Sequence, residues 1–335
     1  VTRKNKRWLA DRPRRLRELG APMNRREFTK AIGLGAVALG FGGAGGLSAT
    51  QPSQVAITMD DFTWSGNAVR LNGDERNQAI LKALQAHSVK AALFVRASNI
   101  DNAGGKTLLR SWDAGGHLIG NHTYSHWYYN SAKITGEAFQ QDILHGEALL
   151  KDFGRFRKVF RFPYLKEGDT AAKRDAMRAF LGEHSYRAGH VTVDTSDWIV
   201  DDRLRKRLTR EPGADLGPYR DFYLAHMWDR AQYYDELARK VLGRSIKHTI
   251  LMHFNLLNAL FLGDLIAMFK RQGWQLIDAE AAFTDPVFAA QPKILPAGES
   301  IVWALAKETG KFDRLLRYPG EDGDYETAKM DKLGL

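Results

Sequence analysis

From Gln54 onward, short apolar runs rich in β-branched and aromatic residues alternate with longer amphipathic stretches. The apolar runs stand at 55–59, 91–95, 117–120, 159–162, 189–193, 249–253 and 274–277. Helical patterns lie at 75–87, 106–114, 135–153, 170–181, 233–242 and 257–271. Strands separated by helix-length segments cannot be joined by tight hairpins, so each crosses over and returns parallel to the last. An α/β protein with a parallel sheet, open or closed into a barrel, is therefore expected. Barrels of this kind carry their chemistry at the carboxyl ends of the strands. Polar residues gather at those ends: Asp60 and Asp61 after the first run, His122 after the third, Arg161 in the fourth, Asp194 and Asp197 after the fifth, and His253 closing the sixth. One shared pocket is expected.

The 335 residues include no cysteine, which excludes a thiol nucleophile and any cysteine-ligated metal, so a metal here must be held by His, Asp or Glu. A net charge of +10 suggests nucleic acid until it is divided along the chain. Residues 1–30 hold eleven basic and three acidic side chains, residues 31–49 hold no charge, and the remainder is nearly neutral. No nucleic-acid partner is expected from such a body.

The front has the order of an export signal. Asn24-Arg25-Arg26-Glu27-Phe28-Thr29-Lys30 precedes an uncharged run containing seven glycines, too weakly apolar for a stop-transfer helix of about 20 strongly apolar residues. It resembles a twin-arginine signal of pattern x-R-R-x-F-x-K. Residues 1–49 are thus expected to be an N-terminal extension and signal removed after Ala49, with Met23 a candidate initiator. The twin-arginine export machinery would be a partner, the mature chain would be periplasmic or extracellular, and it would have no permanent membrane span. The G-x-G-x-x-G pattern at 40–45 follows no strand and is not read as a dinucleotide site.

Asp60 and Asp61 repel each other unless a cation or an arginine compensates. His122 and His126 stand four apart, which on a helical turn would let both imidazoles reach one ion. With one carboxylate of the Asp pair they make a His, His, Asp set that leaves a coordination position open, as a catalytic zinc site requires. Arg161 in Arg161-Phe162-Pro163-Tyr164 could hold a carboxylate ionised. Asp194-Thr195-Ser196-Asp197-Trp198 adds carboxylates and an indole, and Leu251-Met252-His253 ends an apolar run with an imidazole.

In order, T-M-D-D-F, H-T-Y-S-H, R-F-P-Y, D-T-S-D-W and L-M-H resemble the five motifs of the polysaccharide deacetylases, carbohydrate esterase family 4, over residues 58–253. The resemblance implies a distorted parallel (β/α) barrel, seven-stranded, as a single catalytic domain at 50–284 that binds one divalent metal, zinc foremost. It implies Asp60 as general base, Asp61, His122 and His126 as metal ligands, and His253 as general acid. Arg161 would pair with Asp60, Asp197 would orient His253, the Tyr164 N–H would face the oxyanion, and Trp198 and Leu251 would shape the acetyl pocket. The family usually has Gly where this chain has Phe62, which is expected to narrow or reshape that pocket.

The implied reaction is hydrolytic deacetylation of an acetylated extracytoplasmic carbohydrate, N-acetylated in the first instance. An O-acetyl esterase, or a silent carbohydrate-binding or assembly protein on the same scaffold, are the alternatives. Residues 285–335, with Pro286, Pro292, Pro296 and Pro319, are expected to form a C-terminal extension on or near the barrel around one helix at 299–308.

Overall fold

The computed structural model describes residues 51–66, 68–317 and 323–335; the expected signal at 1–49 lies outside them. Nine strands are described, β1 (Gln54–Asp61), β2 (Ala92–Val95), β3 (Leu118–Asn121), β4 (Phe156–Phe160), β5 (Lys166–Gly168), β6 (Arg187–Ala188), β7 (Lys247–His253), β8 (Gln275–Leu276) and β9 (Ala297–Gly298). The α-helices are α1 (Gly73–Ala86), α2 (Ala103–Ala114), α3 (Gly136–Leu150), α4 (Ala171–Glu183), α5 (Asp197–Arg210), α6 (Gly217–Leu242), α7 (Leu256–Arg271), α8 (Ala279–Ala282), α9 (Ile301–Thr309) and α10 (Asp324–Leu333).

Seven strands make one parallel sheet in the order β6-β4-β3-β2-β1-β7, with β8 also on β1. The central strands are covered on both faces, so β1 is buried at six interior positions and β2 throughout. This burial explains why those runs read as continuously apolar rather than alternating. The sheet curls until its ends meet. After β6 the chain crosses toward β7, where Val193 bridges Ile250, its N–H donating to Thr249 O at 3.0 Å and its carbonyl accepting from Leu251 N at 2.9 Å. The result is the expected distorted barrel.

Local chemistry starts the helices where the sequence turns polar. Asn72 and Glu75 form a reciprocal capping box on α1, and Asn102, Thr135, Thr170 and Asn255 accept from the first turns of α2, α3, α4 and α7. Residues 189–193 do not form the regular strand expected of them; the sheet keeps only β6 and the single bridge at Val193. The expected helix at 233–242 is the last part of α6, which runs 26 residues from Gly217, and α5 was not anticipated.

C-terminal to β8, β9 pairs antiparallel with β5, and α9 packs against α6. Ser300 Oγ donates to Thr192 O at 2.8 Å and Ile301 N to Val191 O at 2.8 Å. These bonds tie this segment to the chain that closes the barrel. No helix among the described residues is long and apolar enough to cross a membrane.

Candidate active site

The carboxyl ends of β1, β3 and β7 and the loop after β4 border one cleft of about 550 Å³, lined by Asp60, Asp61, His122, His126, Tyr164, Leu165, Asp194, Trp198, Leu251 and His253. Parallel register explains the convergence: Asp60 pairs with Phe94 on one side and His253 on the other, so the base and acid candidates leave adjacent strands at the same level.

Three candidate ligands meet at one point. The Asp61 Oδ1 lies 3.1 Å from His126 Nε2 and 3.5 Å from His122 Nε2, and ligand atoms of all three fall within 4.8 Å of one another. The His122 Nδ1 is 2.8 Å from Arg161 O, a carbonyl that can only accept, so Nδ1 carries a proton and Nε2 is the nitrogen that faces Asp61. Burial pushes the Asp61 carboxyl up, but the two imidazoles outweigh it and hold it well below the usual carboxylate range. Asp61 Oδ1 nevertheless has no hydrogen-bond partner. A buried acceptor left open among imidazole nitrogens fits a divalent cation, and a nitrogen and oxygen donor set of this size suits zinc.

The two histidines do not share a helical turn. They lie in a loop after β3 in which Thr123 (φ 64°) and His126 (φ 60°) are left-handed. Its conformation is fixed by polar bonds instead: Thr123 N donates to Asn121 Oδ1, His126 N to Thr123 Oγ1 and Ser125 N to Asp142 Oδ2, each at 2.9 Å. The spacing in sequence pointed to the right pair through the wrong local structure.

Asp60 is buried beside Asp61 and accepts from Arg161 NH1 at 2.6 Å. Arg161 is held in turn by Thr58 Oγ1 at 3.0 Å and Gly189 O at 2.7 Å, and its guanidinium lies 3.9 Å over the Phe94 ring. Burial alone would lower the guanidinium, and Asp60 opposes that loss of charge. The pair is rigid because each partner is buried and bonded.

Across the cleft, His253 Nδ1 lies 2.6 Å from Asp197 Oδ1, and His253 N donates to Asp197 Oδ2 at 3.0 Å. Burial would lower the imidazole, but the Asp197 charge and hydrogen bond, with Asp61 and Asp60 nearby, push it up to about 10. The surrounding carboxylates thus favour the protonated ring, whose other nitrogen is then a donor. Asp197 is fully buried and held below the usual carboxylate range, burial being outweighed by His253 and the bond from Asn258.

Tyr164 and Leu165 are consecutive left-handed residues (φ 57° and 56°) after Pro163, a sharp turn that places both in the cleft lining. Trp198 and Leu251 line the opposite side. Arg161 and Asp197 sit behind the lining, each bonded to a residue that forms it. Asp194, noted in the sequence without a role, is part of the lining.

Phe62 overturns an expectation. Its backbone is left-handed (φ 54°), yet its ring is completely buried, 4.9 Å from Phe254 in an edge-on contact, and it does not line the cleft. The ring does not enter the pocket; it fills core. Left-handed backbone costs about 1–2 kcal/mol for such a residue, less than burial of a phenyl ring returns.

Sequence reasoning did not single out Trp127 and Tyr128, which follow His126. Among the described residues the exposed large aromatics are Trp127, Tyr128, Tyr164 and Trp198, between 38% and 51% exposed. Tyr164 contacts the His126 ring at 4.7 Å and the Tyr128 ring at 5.5 Å, so aromatic surface extends outward from the ligand set. Nor did the sequence mark Asn255, Asn258 and Tyr223 behind the acid, where three polar groups crowd otherwise apolar helices.

Comparison with known proteins gives a match to the polysaccharide deacetylase family over residues 48–180. That stretch holds Asp60, Asp61, His122, His126, Arg161 and Tyr164; Asp197 and His253 lie beyond it. A chitin deacetylase of Colletotrichum lindemuthianum is 28% identical over 190 residues, covering 54% of this chain and 69% of that protein. A peptidoglycan-N-acetylglucosamine deacetylase of Bacillus cereus is 29% identical over 147 residues, 44% of this chain and 46% of that protein. The solved structure of the Colletotrichum enzyme superposes with a TM-score of 0.47 at 22% identity, covering 70% of this chain and 88% of that one.

Proposed function

We infer that this chain, which belongs to the polysaccharide deacetylase family, hydrolyses acetyl groups from an N-acetylated polysaccharide outside the cytoplasm. The observation that carries the reading is the pairing of two protonic groups across one ligand set: Asp60 fixed by Arg161 on one side, His253 fixed by Asp197 on the other. Asp61, His122 and His126 would hold one divalent metal, zinc foremost, which when bound polarises the acetyl carbonyl and acidifies water.

Amides resist hydrolysis at both ends of the reaction, because the carbonyl is a poor electrophile and an unprotonated amine a poor leaving group. Asp60, bonded to Arg161, accepts a proton as the water oxygen bonds to the acetyl carbon. The Tyr164 N–H would donate to the oxyanion, an interaction worth about 3 kcal/mol for a well-placed donor. As the C–N bond breaks, its electron pair stays on nitrogen and takes the proton from His253. Acetate and a free amine leave, and proton return through solvent resets Asp60 and His253.

Aromatic surface around the cleft supports a sugar polymer over a small amide. Tyr164 lies against His126 with Tyr128 packed on it, Trp198 lines the cleft, and Trp127, next to His126 in the chain, is likewise part-exposed. Exposed aromatics gathered at a cleft mark a binding surface, and they suit the apolar faces of pyranose rings.

Acetate release tests the reading, using residues 50–335 with and without zinc on N-acetylated chitin oligomers, peptidoglycan and a matched O-acetylated glycan. Zinc-dependent release from the N-acetylated polymers is expected. Release from none of them, with metal bound, would overturn it. Export through the twin-arginine route is part of the same proposal: Arg25→Lys with Arg26→Lys should hold the chain in the cytoplasm, and unchanged delivery would refute that route.

A further inference from the structure

Behind the acid, one carboxylate is surrounded by donors from the end of β7 and the start of α7. Asp197 is 0% exposed, so every lone pair it presents must be met within the protein. His253 takes Oδ1 through its ring and reaches Oδ2 through its backbone N–H. The remaining capacity of Oδ2 is filled by Asn255 Nδ2 at 2.9 Å and Asn258 Nδ2 at 2.7 Å. Asn255 has a second task as the N-cap of α7, its Oδ1 accepting from Asn258 N at 2.9 Å.

Asn258 is the more telling of the two. Its amide nitrogen also donates to His253 O at 2.8 Å, so one NH2 group uses both hydrogens, one on the carboxylate and one on the backbone of the residue whose ring that carboxylate orients. The amide can serve only one way round. Turned over, it would set Oδ1 against Asp197, acceptor against anion. Tyr223, fully buried on α6, prevents this by donating its hydroxyl to Asn258 Oδ1 at 2.5 Å. The donors are neutral, which leaves the Asp197 charge available to the imidazolium; an arginine or lysine in their place would compete for it.

We propose that Asn258, locked by Tyr223, is a positioning residue that fixes the Asp197 carboxylate against His253. The effect on turnover rests on the deacetylase reading; the effect on geometry does not. Because Asn258 acts through the acid, its loss should be felt most where a proton must be delivered to a poor leaving group.

The test uses the zinc-loaded protein with Asn258→Leu, Tyr223→Phe and the double variant. Asn258→Leu should lower kcat on an N-acetylated oligomer by about ten- to a hundredfold, as expected when a charged acceptor loses a buried donor, with KM changed by less than about twofold. A matched O-acetyl ester should lose much less. Tyr223→Phe, which removes one oxygen and little volume, should give a smaller loss with the same amide bias. The double variant should be no worse than Asn258→Leu. Independently of activity, the proton NMR signal of the His253 Nδ1–H should shift or vanish in Asn258→Leu and move in Tyr223→Phe. Equal losses on amide and ester, additive losses in the double variant, or an unchanged His253 signal in folded Tyr223→Phe would overturn the proposal. Absence of acetate release by the parent protein with the NMR shifts intact would instead strike the deacetylase reading alone.

Discussion

The two halves of the cleft are built by different means. The ligand half stands on loops that turn through left-handed backbone at Asp61, Phe62, Thr123, His126, Tyr164 and Leu165. The acid half stands on the end of β7 and the first turns of α5 and α7, with a buried side-chain network and one left-handed residue, Ser196, before Asp197. Left-handed positions for residues with a Cβ persist only where the surroundings over-determine them. A metal would supply part of that determination in the ligand half, whereas the acid half is complete from protein groups alone. The two should therefore respond differently to metal removal, to pH and to substitution.

The largest expected effect follows directly. His122→Ala with His126→Ala should abolish the binding of about one divalent ion per chain and with it acetate release, while the Asp197–His253 pair persists. Metal analysis beside the His253 NMR signal checks both parts. Full metal content in the double variant would refute the ligand set, and loss of the His253 signal would erase the contrast between the halves.

The next prediction concerns pH. His253 has its pKa raised to about 10, so the pair's stabilisation is complete below the ordinary imidazole range and is lost as pH rises through the folded value. The acid-competent form follows the same sense, and activity should fall on an alkaline limb. In the metal-loaded protein the cation's charge places that limb below 10. Asp197→Asn should move it further down, toward the ordinary imidazole range. A kcat/KM profile across pH measures this, and an unmoved limb would detach His253 from Asp197.

Phe62→Gly probes the strained half through stability. Losing the buried ring costs about 3–5 kcal/mol and relief of left-handed backbone returns about 1 kcal/mol. At about 2 °C per kcal/mol for a chain of this size, thermal unfolding should fall by roughly 4–8 °C. A Tm unchanged or raised would mean that the ring contributes less than the strain it imposes.

The smallest effect is expected outside the chemistry. Trp127→Ala and Tyr128→Ala should each lower kcat/KM on a tetrameric substrate by about tenfold, from ~1–2 kcal/mol of lost ring contact, and affect a monosaccharide much less. Equal effects on both substrates would remove these residues from the glycan-binding surface.

How much of this was legible beforehand follows the same division. Parallel strands buried on both faces announce themselves as apolar runs, and the polar residues that end them mark the cleft, so Asp60, Asp61, His122 and His253 could be placed at its lining from the sequence. Their handedness could not. Nothing in T-M-D-D-F says that Phe62 turns its ring into the core, and the His122–His126 spacing is equally compatible with a helical turn and with the loop that forms. α5 escaped notice because Val200, Leu204 and Leu208, its buried positions, lie among Arg203, Arg205, Lys206, Arg207 and Arg210. The Tyr223–Asn258–Asp197 network was invisible because its bonds join residues 35 and 61 positions apart, and no periodicity records such a contact.

The central claim is that Asp60 and His253 divide the proton work across a metal held by other residues. Acetate release from a matched N-acetyl amide and O-acetyl ester by the parent protein, Asp60→Asn and His253→Ala, each at full metal occupancy, tests it most directly. Asp60→Asn should retain the metal through Asp61 and lose about a hundredfold or more on both substrates, since an amide side chain cannot take the proton of water. His253→Ala should lose far more on the amide than on the ester, because an alkoxide leaves more readily than an unprotonated amine. Near-normal amide turnover in Asp60→Asn, or equal losses on the two substrates in His253→Ala, would contradict this division of labour.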